Sequence, residues 1–144
     1  GYACPAGGCL LTDATIARRL RDLFSHNPHY TMRDITLLRH GRHFRLHNDL
    51  KLVLGRNEEE NKIISSFFSS HEHVLISPEQ FPGPVALACG RASMADLEAA
   101  GGIIARYGRP QQPQPCVVVK SAGGLEKIHG PRILTDDEIE SFRI

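Results

Sequence analysis

Residues 43–57 read H-F-R-L-H-N-D-L-K-L-V-L-G-R-N, and their period of two admits few folds. Phe44, Leu46, Leu50, Leu52 and Leu54 alternate with Arg45, His47, Lys51 and Val53, with Asn48-Asp49 as a turn between the two runs. Successive strand residues point to opposite faces, so the pattern predicts a β-hairpin with one apolar face. With the leucines turned inward, Arg45, His47 and Lys51 share the outer face of the ribbon, as a sheet does when it presents charge to a phosphate backbone. Any half-exposed hairpin also needs polar outward residues. The sign of these three favours a binding role, since no acid balances them.

The hairpin runs directly into G-R-N-E-E-E-N-K-I-I-S-S-F-F. Asn57 suits an N-cap, Glu60 stands three residues later, and Glu58 to Glu60 suit the positive end of a helix dipole. This helix accounts for its own acids without catalysis. Arg56 and Asn57 sit at the strand-to-helix junction, where unpaired backbone N–H groups favour anions.

Upstream, Ile16, Leu20, Leu23 and Phe24 recur with helical spacing behind Thr12-Asp13, and H-N-P-H stops that helix near Pro28. From Asp34 to Gly55 the reading is extended. Downstream, H-V-L-I-S (73–77) and V-A-L-A-C (85–89) flank a Pro82-Gly83 turn, and Ser93 with Asp96 caps a second long helix. That helix contains Gly101 and Gly102, which cost about 1 kcal/mol each against alanine and therefore predict close approach to a sheet. C-V-V-V-K is a buried strand, S-A-G-G-L-E-K a flexible turn, and Thr135 with Glu138 caps a last short helix. The sum is an α+β domain with a mixed or antiparallel sheet and three to four helices. It occupies residues 30–144, behind a cysteine-containing junction and amphipathic helix at 1–29.

Composition agrees with one domain: 144 residues, 41% hydrophobic and 23% charged. No apolar run reaches the roughly 18 residues of a membrane helix, and no signal sequence opens the chain, so a cytoplasmic location with no membrane partner is expected. Because the chain starts at Gly1 inside a dense motif, a longer parent protein is also expected. The net charge of +1 conceals an asymmetry. Residues 1–56 carry nine Lys and Arg against four acids, whereas residues 57–144 carry eight against twelve. Arg39 to His47 alone holds three arginines and three histidines, a density that fits either a solvated face or an anion-binding surface. Cys89 and Cys116 border apolar runs and read as small core residues. Cys4 and Cys9 flank Pro5, Gly7 and Gly8 just before a helix start, whose dipole favours a thiolate. They fit a sulfur-relay or redox pair, a metal site completed from outside the chain, or a structural turn. Two cysteines do not complete a tetrahedral zinc site, and no histidine pair has ligand spacing beside them, so no metal is assigned.

The order of motifs resembles the RNA-binding NFACT-R domain over about residues 35–134. The resemblance rests on Phe44-Arg45, Gly55-Arg56-Asn57 with Asn61, Pro82-Gly83, the helix from Ala95 to Tyr107, and Val117 to Lys120. It implies an RNA partner; Arg42, Arg45, Lys51 and Arg56 are expected to contact its phosphates because they are basic, close in sequence and partly on one side of the ribbon, with Asn57 and Asn61 of the motif as further RNA-binding residues. The opening C-P-A-G-G-C-L-L-T-D and the following helix are similar to a junction in bacterial PP-loop tRNA thiouridylases. That likeness implies tRNA as the RNA, an upstream PP-loop domain that uses ATP, a sulfur-donor protein, and Cys4 and Cys9 as catalytic thiols of the parent. The chain itself has no glycine-rich phosphate loop, so no cofactor is expected in it, nor catalysis by it alone. A rival reading is a translation quality-control module of NFACT type without modification chemistry. A third is an independent thiol enzyme using Cys4 or Cys9.

Overall fold

A computed structural model describes residues 13–111, 115–129 and 131–144. Eleven elements follow in chain order: α1 (Ala14–His26), α2 (Met32–Leu37), β1 (Arg42–His47), β2 (Leu50–Leu54), α3 (Glu58–Ser66), β3 (His73–Glu79), β4 (Ala86–Gly90), α4 (Met94–Tyr107), β5 (Cys116–Ser121), β6 (Gly124–His129) and α5 (Asp136–Ser141). The six strands form one sheet in the order β1-β2-β4-β3-β5-β6, with every pairing antiparallel. The fold is thus α+β, as expected, with five helices among the described residues: α1 ahead of the expected domain and four within it.

The sheet is covered on both faces. Phe44, Leu50, Leu52, Leu54, Ala86, Ala88, Val117 and Val119 pack with Ala100, Ile103 and Ile104 of α4 and Ile139 of α5. The opposite face places Val53, Leu75 and Leu87 against Ile64 of α3 and Leu37 of α2. Ile16, Leu20 and Leu23 of α1 complete this second layer on Leu38. All five residues of β2 are buried, because β2 is an inner strand with helices on both sides.

Two readings of the sequence are corrected by this arrangement. Residues 32–37 are helical rather than extended, because Thr31 and Asp34 cap each other's backbone in a reciprocal box that starts α2. Residues 124–127, read as part of the turn S-A-G-G-L-E-K (121–127), belong to the edge strand β6, whose ladder on β5 spans Cys116 to Ser121. The glycines of α4 do meet a close neighbour, though mostly not the sheet. A Cβ on Gly102 would collide with the Arg132 carbonyl, and one on Gly101 would lie 2.7 Å from Pro131 and 3.2 Å from Val117 of β5. Cys89 and Cys116 are free and only half-buried. No described helix is long and apolar enough to cross a membrane.

Candidate nucleic-acid interface

The junction after β2 builds a cleft. Asn57 caps α3 by accepting from the Glu60 backbone N–H at 2.8 Å. One turn later Asn61 ties down the Pro82-Gly83 turn: its Nδ2 donates to the Gly83 carbonyl at 3.3 Å, and its Oδ1 accepts from the Val85 N–H at 3.1 Å. Gly55 is required beneath it, since a Cβ there would overlap the Asn61 side chain. Every named member of G-R-N-x-x-x-N except Arg56 is therefore explained by geometry: a close approach, a cap and a strap.

That geometry encloses a cleft of about 540 Å³ lined by Arg42, Gly55, Arg56, Asn57, Glu58, Asn61, Phe81, Pro82, Gly83, Pro84 and Tyr107. Arg42 leaves the start of β1 and lays its guanidinium over the Tyr107 ring, 4.6 Å from the centroid. Arg56 is half exposed and forms a two-point pair with Glu60, Nε to Oε1 at 2.9 Å and Nη2 to Oε2 at 2.7 Å. Glu60 also accepts from the Gly41 and Arg56 backbone N–H groups, at 3.1 and 2.9 Å. The Arg56 hydrogen bond, followed by the backbone donors, holds the Glu60 carboxyl at about 2, against the cost of its burial. The cleft thus offers two guanidinium groups, that of Arg56 paired with Glu60, beside the half-buried Tyr107 ring and a helix start whose Glu58 carboxylate also lines it.

Four of the six RNA-binding candidates, Arg42, Arg56, Asn57 and Asn61, converge here. Arg45 and Lys51 do not. They are direct cross-strand partners, as the alternation requires, but their face is roofed by α1 and α2 rather than open to solvent. Arg45 is paired with Asp22 of α1, and Lys51 is only 5% exposed. The periodicity assigned the right face to each residue and could not show that helices from before the hairpin would cover that face. The rest of the basic cluster is dispersed too. The ladder shifts between Arg45 and His47, and His47 meets Asp96 of α4 at 3.0 Å. His43 is fully buried, with its Nε2 on the His40 carbonyl. Sequence reasoning missed Tyr107 and Phe81, whose signal was an aromatic residue bordering each of two glycine-containing breaks, Y-G-R-P and F-P-G-P. Cys4 and Cys9 lie outside the described residues. Among the described residues, no group of three His, Cys, Asp or Glu side chains is placed to hold a metal.

A three-layer α+β domain with a cleft of arginine, tyrosine and a helix start is the kind of module that engages polyanions. The family model of the NFACT protein RNA-binding domain matches residues 41–143, so the chain belongs to that family. Among solved structures, it is similar to the C-terminal part of the fibronectin/fibrinogen-binding protein from Streptococcus suis, with a TM-score of 0.56 and 12% identity. The match covers 88% of this chain and 66% of that one, and at this identity it shows the fold alone. No curated protein matches the chain.

Proposed function

We propose that this chain binds structured RNA, and that the cleft between Arg42 and Arg56 is where the phosphate backbone lies. The observation that carries the reading is the convergence of Arg42, stacked on Tyr107, and the half-exposed Arg56 on one cleft in a domain of an RNA-binding family. Arginine suits phosphate by its planar fork, and the half-buried Tyr107 ring holds the Arg42 guanidinium in place. The bidentate hold of Glu60 on Arg56 positions this guanidinium at a cost in net charge, so Arg42 contributes the larger share of attraction.

Filter-binding titrations at several salt concentrations test this. Arg42→Ala and Arg56→Ala are expected to weaken binding of unrelated structured RNAs alike. Each should also flatten the slope of log affinity against log salt by up to about 1, the effect of leaving one phosphate without its guanidinium. Arg132→Ala serves as the control. Equal effects of all three substitutions would overturn the reading.

The finer proposal is that the RNA is tRNA and that the module serves a thiolating parent protein, with ATP held by an upstream PP-loop domain and sulfur supplied by a donor protein. Its support is the C-P-A-G-G-C-L-L-T-D junction. In the intact parent, Cys4→Ser or Cys9→Ser would then lower thiolated nucleosides, measured by mass spectrometry, without changing RNA affinity. Full thiolation in both variants would overturn the sulfur-relay role of Cys4 and Cys9, and a parent that forms no thiolated nucleoside would leave the quality-control reading in its place.

A further inference from the structure

On the sheet face covered by α1 and α2, four side chains form a straight row across four adjacent strands. Arg45 of β1 is opposite Lys51 of β2, Lys51 is opposite Cys89 of β4, and Cys89 is opposite His73 of β3. The next row toward the core, on the same face, is His43, Val53, Leu87 and Leu75, which is largely apolar. All four members of the polar row line a second cleft of about 420 Å³, roofed in part by Leu23 of α1 and Leu37 of α2. Its size falls within the roughly 300–1,000 Å³ of ordinary ligand clefts.

The Lys51 ammonium is the anomaly. The residue is more than nine-tenths buried, its nitrogen keeps some exposure where it lines the cleft, and none of the hydrogen bonds or ion pairs among the described residues involves it. Burying an unpaired cation is costly, and burial pulls the Lys51 pKa down. A structural role does not require a lysine there, since the row beside it is filled with valine and leucine. The chemistry of the row is also one-sided. His73 accepts from the Ser69 N–H through Nδ1 at 2.9 Å, which leaves Nε2–H as a donor. Burial holds its pKa below the usual value, so the ring is neutral at pH 7. Arg45 spends Nε and Nη2 on Asp22, leaving Nη1. Burial pushes the Cys89 thiol up to about 11, so it stays protonated. The floor therefore consists of donors: guanidinium, ammonium, thiol and imidazole N–H.

The rim has the opposite character. Asp49 and Glu72, both exposed, line the cleft, and the imidazoles of His26 and His71 form part of its walls. With Asp34 also present, the carboxylates offset Lys51 and Arg91, which removes the advantage of a multiply charged anion. What fits is a flat neutral group with acceptors on one edge and donors on the other. Guanine has this pattern: O6 and N7 accept together from arginine or lysine, while N1–H and the 2-amino group donate to carboxylates. Adenine places an amino group beside N7, which would confront the ammonium.

We propose that this cleft takes an unpaired guanine splayed out of bound RNA, with its O6/N7 edge on the Lys51 floor and its N–H edge toward Asp49 and Glu72. This rests on the RNA-binding reading and adds base specificity to it, at a cleft that shares no lining residue with the phosphate cleft.

Two measurements separate the proposals. In a titration of the isotope-labelled chain, guanosine should shift the backbone signals of Lys51, His73 and Cys89, and adenosine should not. In filter binding, an oligonucleotide with one unpaired guanosine should bind about tenfold better than its adenosine counterpart, and Lys51→Met should abolish that preference. Asp49→Asn with Glu72→Gln, at exposed positions that do not threaten folding, should reduce it, and inosine should bind less well than guanosine. Arg42→Ala should weaken both oligonucleotides equally. RNA binding without guanine preference, and without guanosine shifts in the row, would overturn the inference and leave RNA binding intact. Guanosine shifts in a chain that binds no RNA would overturn the RNA reading and, with it, the guanine's origin in RNA, leaving a site for the free base alone. A preference that survives Lys51→Met or the rim variant would also overturn it.

Discussion

Asp22 of α1 grips Arg45 of β1 at two points, Oδ1 to Nη2 at 2.5 Å and Oδ2 to Nε at 3.2 Å, with both side chains mostly shielded from water. The pair fastens the first helix to the edge of the sheet. Arg45→Met is therefore expected to lower stability by about 2 kcal/mol, since hydrogen bonds to charged groups contribute this much and Asp22 would be left without its partner. Urea melts of Arg45→Met, Asp22→Asn and the double variant measure the coupling. Singles that add in the double would show that the two residues act independently.

The strap from α3 to the Pro82-Gly83 turn gives a second prediction. Asn61→Ala leaves the Val85 N–H and the Gly83 carbonyl without their partner, at a cost of about 1–3 kcal/mol. Gly55→Ala displaces the same asparagine from the other side and should destabilise too. Because the turn walls the cleft, both variants should also weaken RNA binding, whereas Asn57→Asp, which preserves the cap, should alter it mainly through charge. Thermal melts beside binding titrations check the pairing of the two effects.

Glu60 provides an acid-side test. Its carboxyl is held at about 2 in the folded state, chiefly by Arg56, against an ordinary value near 4.5. A depressed carboxylate pKa adds stability that is complete above the unfolded value and disappears as pH falls through the folded one. Between about pH 5 and pH 2 the parent chain should lose up to about 3 kcal/mol that Glu60→Gln does not lose. Parallel acid titrations of unfolding free energy would show this as a difference in slope.

Lys51 supplies the alkaline counterpart. Its folded pKa lies below the ordinary 10.5, so the unfolded chain binds more protons over a window ending near that value. Stability should rise with pH through this window, and Lys51→Met should flatten the rise while being more stable than the parent at neutral pH. A parent curve with no such rise would mean that the amine finds a partner in solution.

How much of this was visible in the residues depends on the range of the interactions involved. The hairpin, the caps at Asn57, Ser93 and Thr135, and the importance of Gly55, Asn57, Asn61 and the Pro-Gly turn were legible, because caps and alternation act over a few residues. The roof over Arg45 and Lys51 was not. Whether a strand's polar face meets water depends on where α1 and α2 land, and Asp22 is 23 residues away from Arg45. Edge strand β6 was hidden by its glycines, which suggested mobility where Gly124 instead adopts the positive φ of 115° that a tight turn needs. α2 was hidden by its length, since six residues are too few to display a helical period.

The edge of β1 is finished by residues from the other end of the chain: Arg45 N–H donates to the Phe142 carbonyl at 2.8 Å, Ile144 N–H donates to the His43 carbonyl at 3.1 Å, and Phe44 bridges to Arg143. During synthesis the hairpin leaves the ribosome about 95 residues ahead of these partners. Until residues 142–144 follow, the nascent domain carries an unprotected sheet margin, which is a template for pairing with another chain. The ribosome's pace between the codons for residues 48 and 144 thus sets how long a newly made copy remains vulnerable to a neighbour on the same polysome.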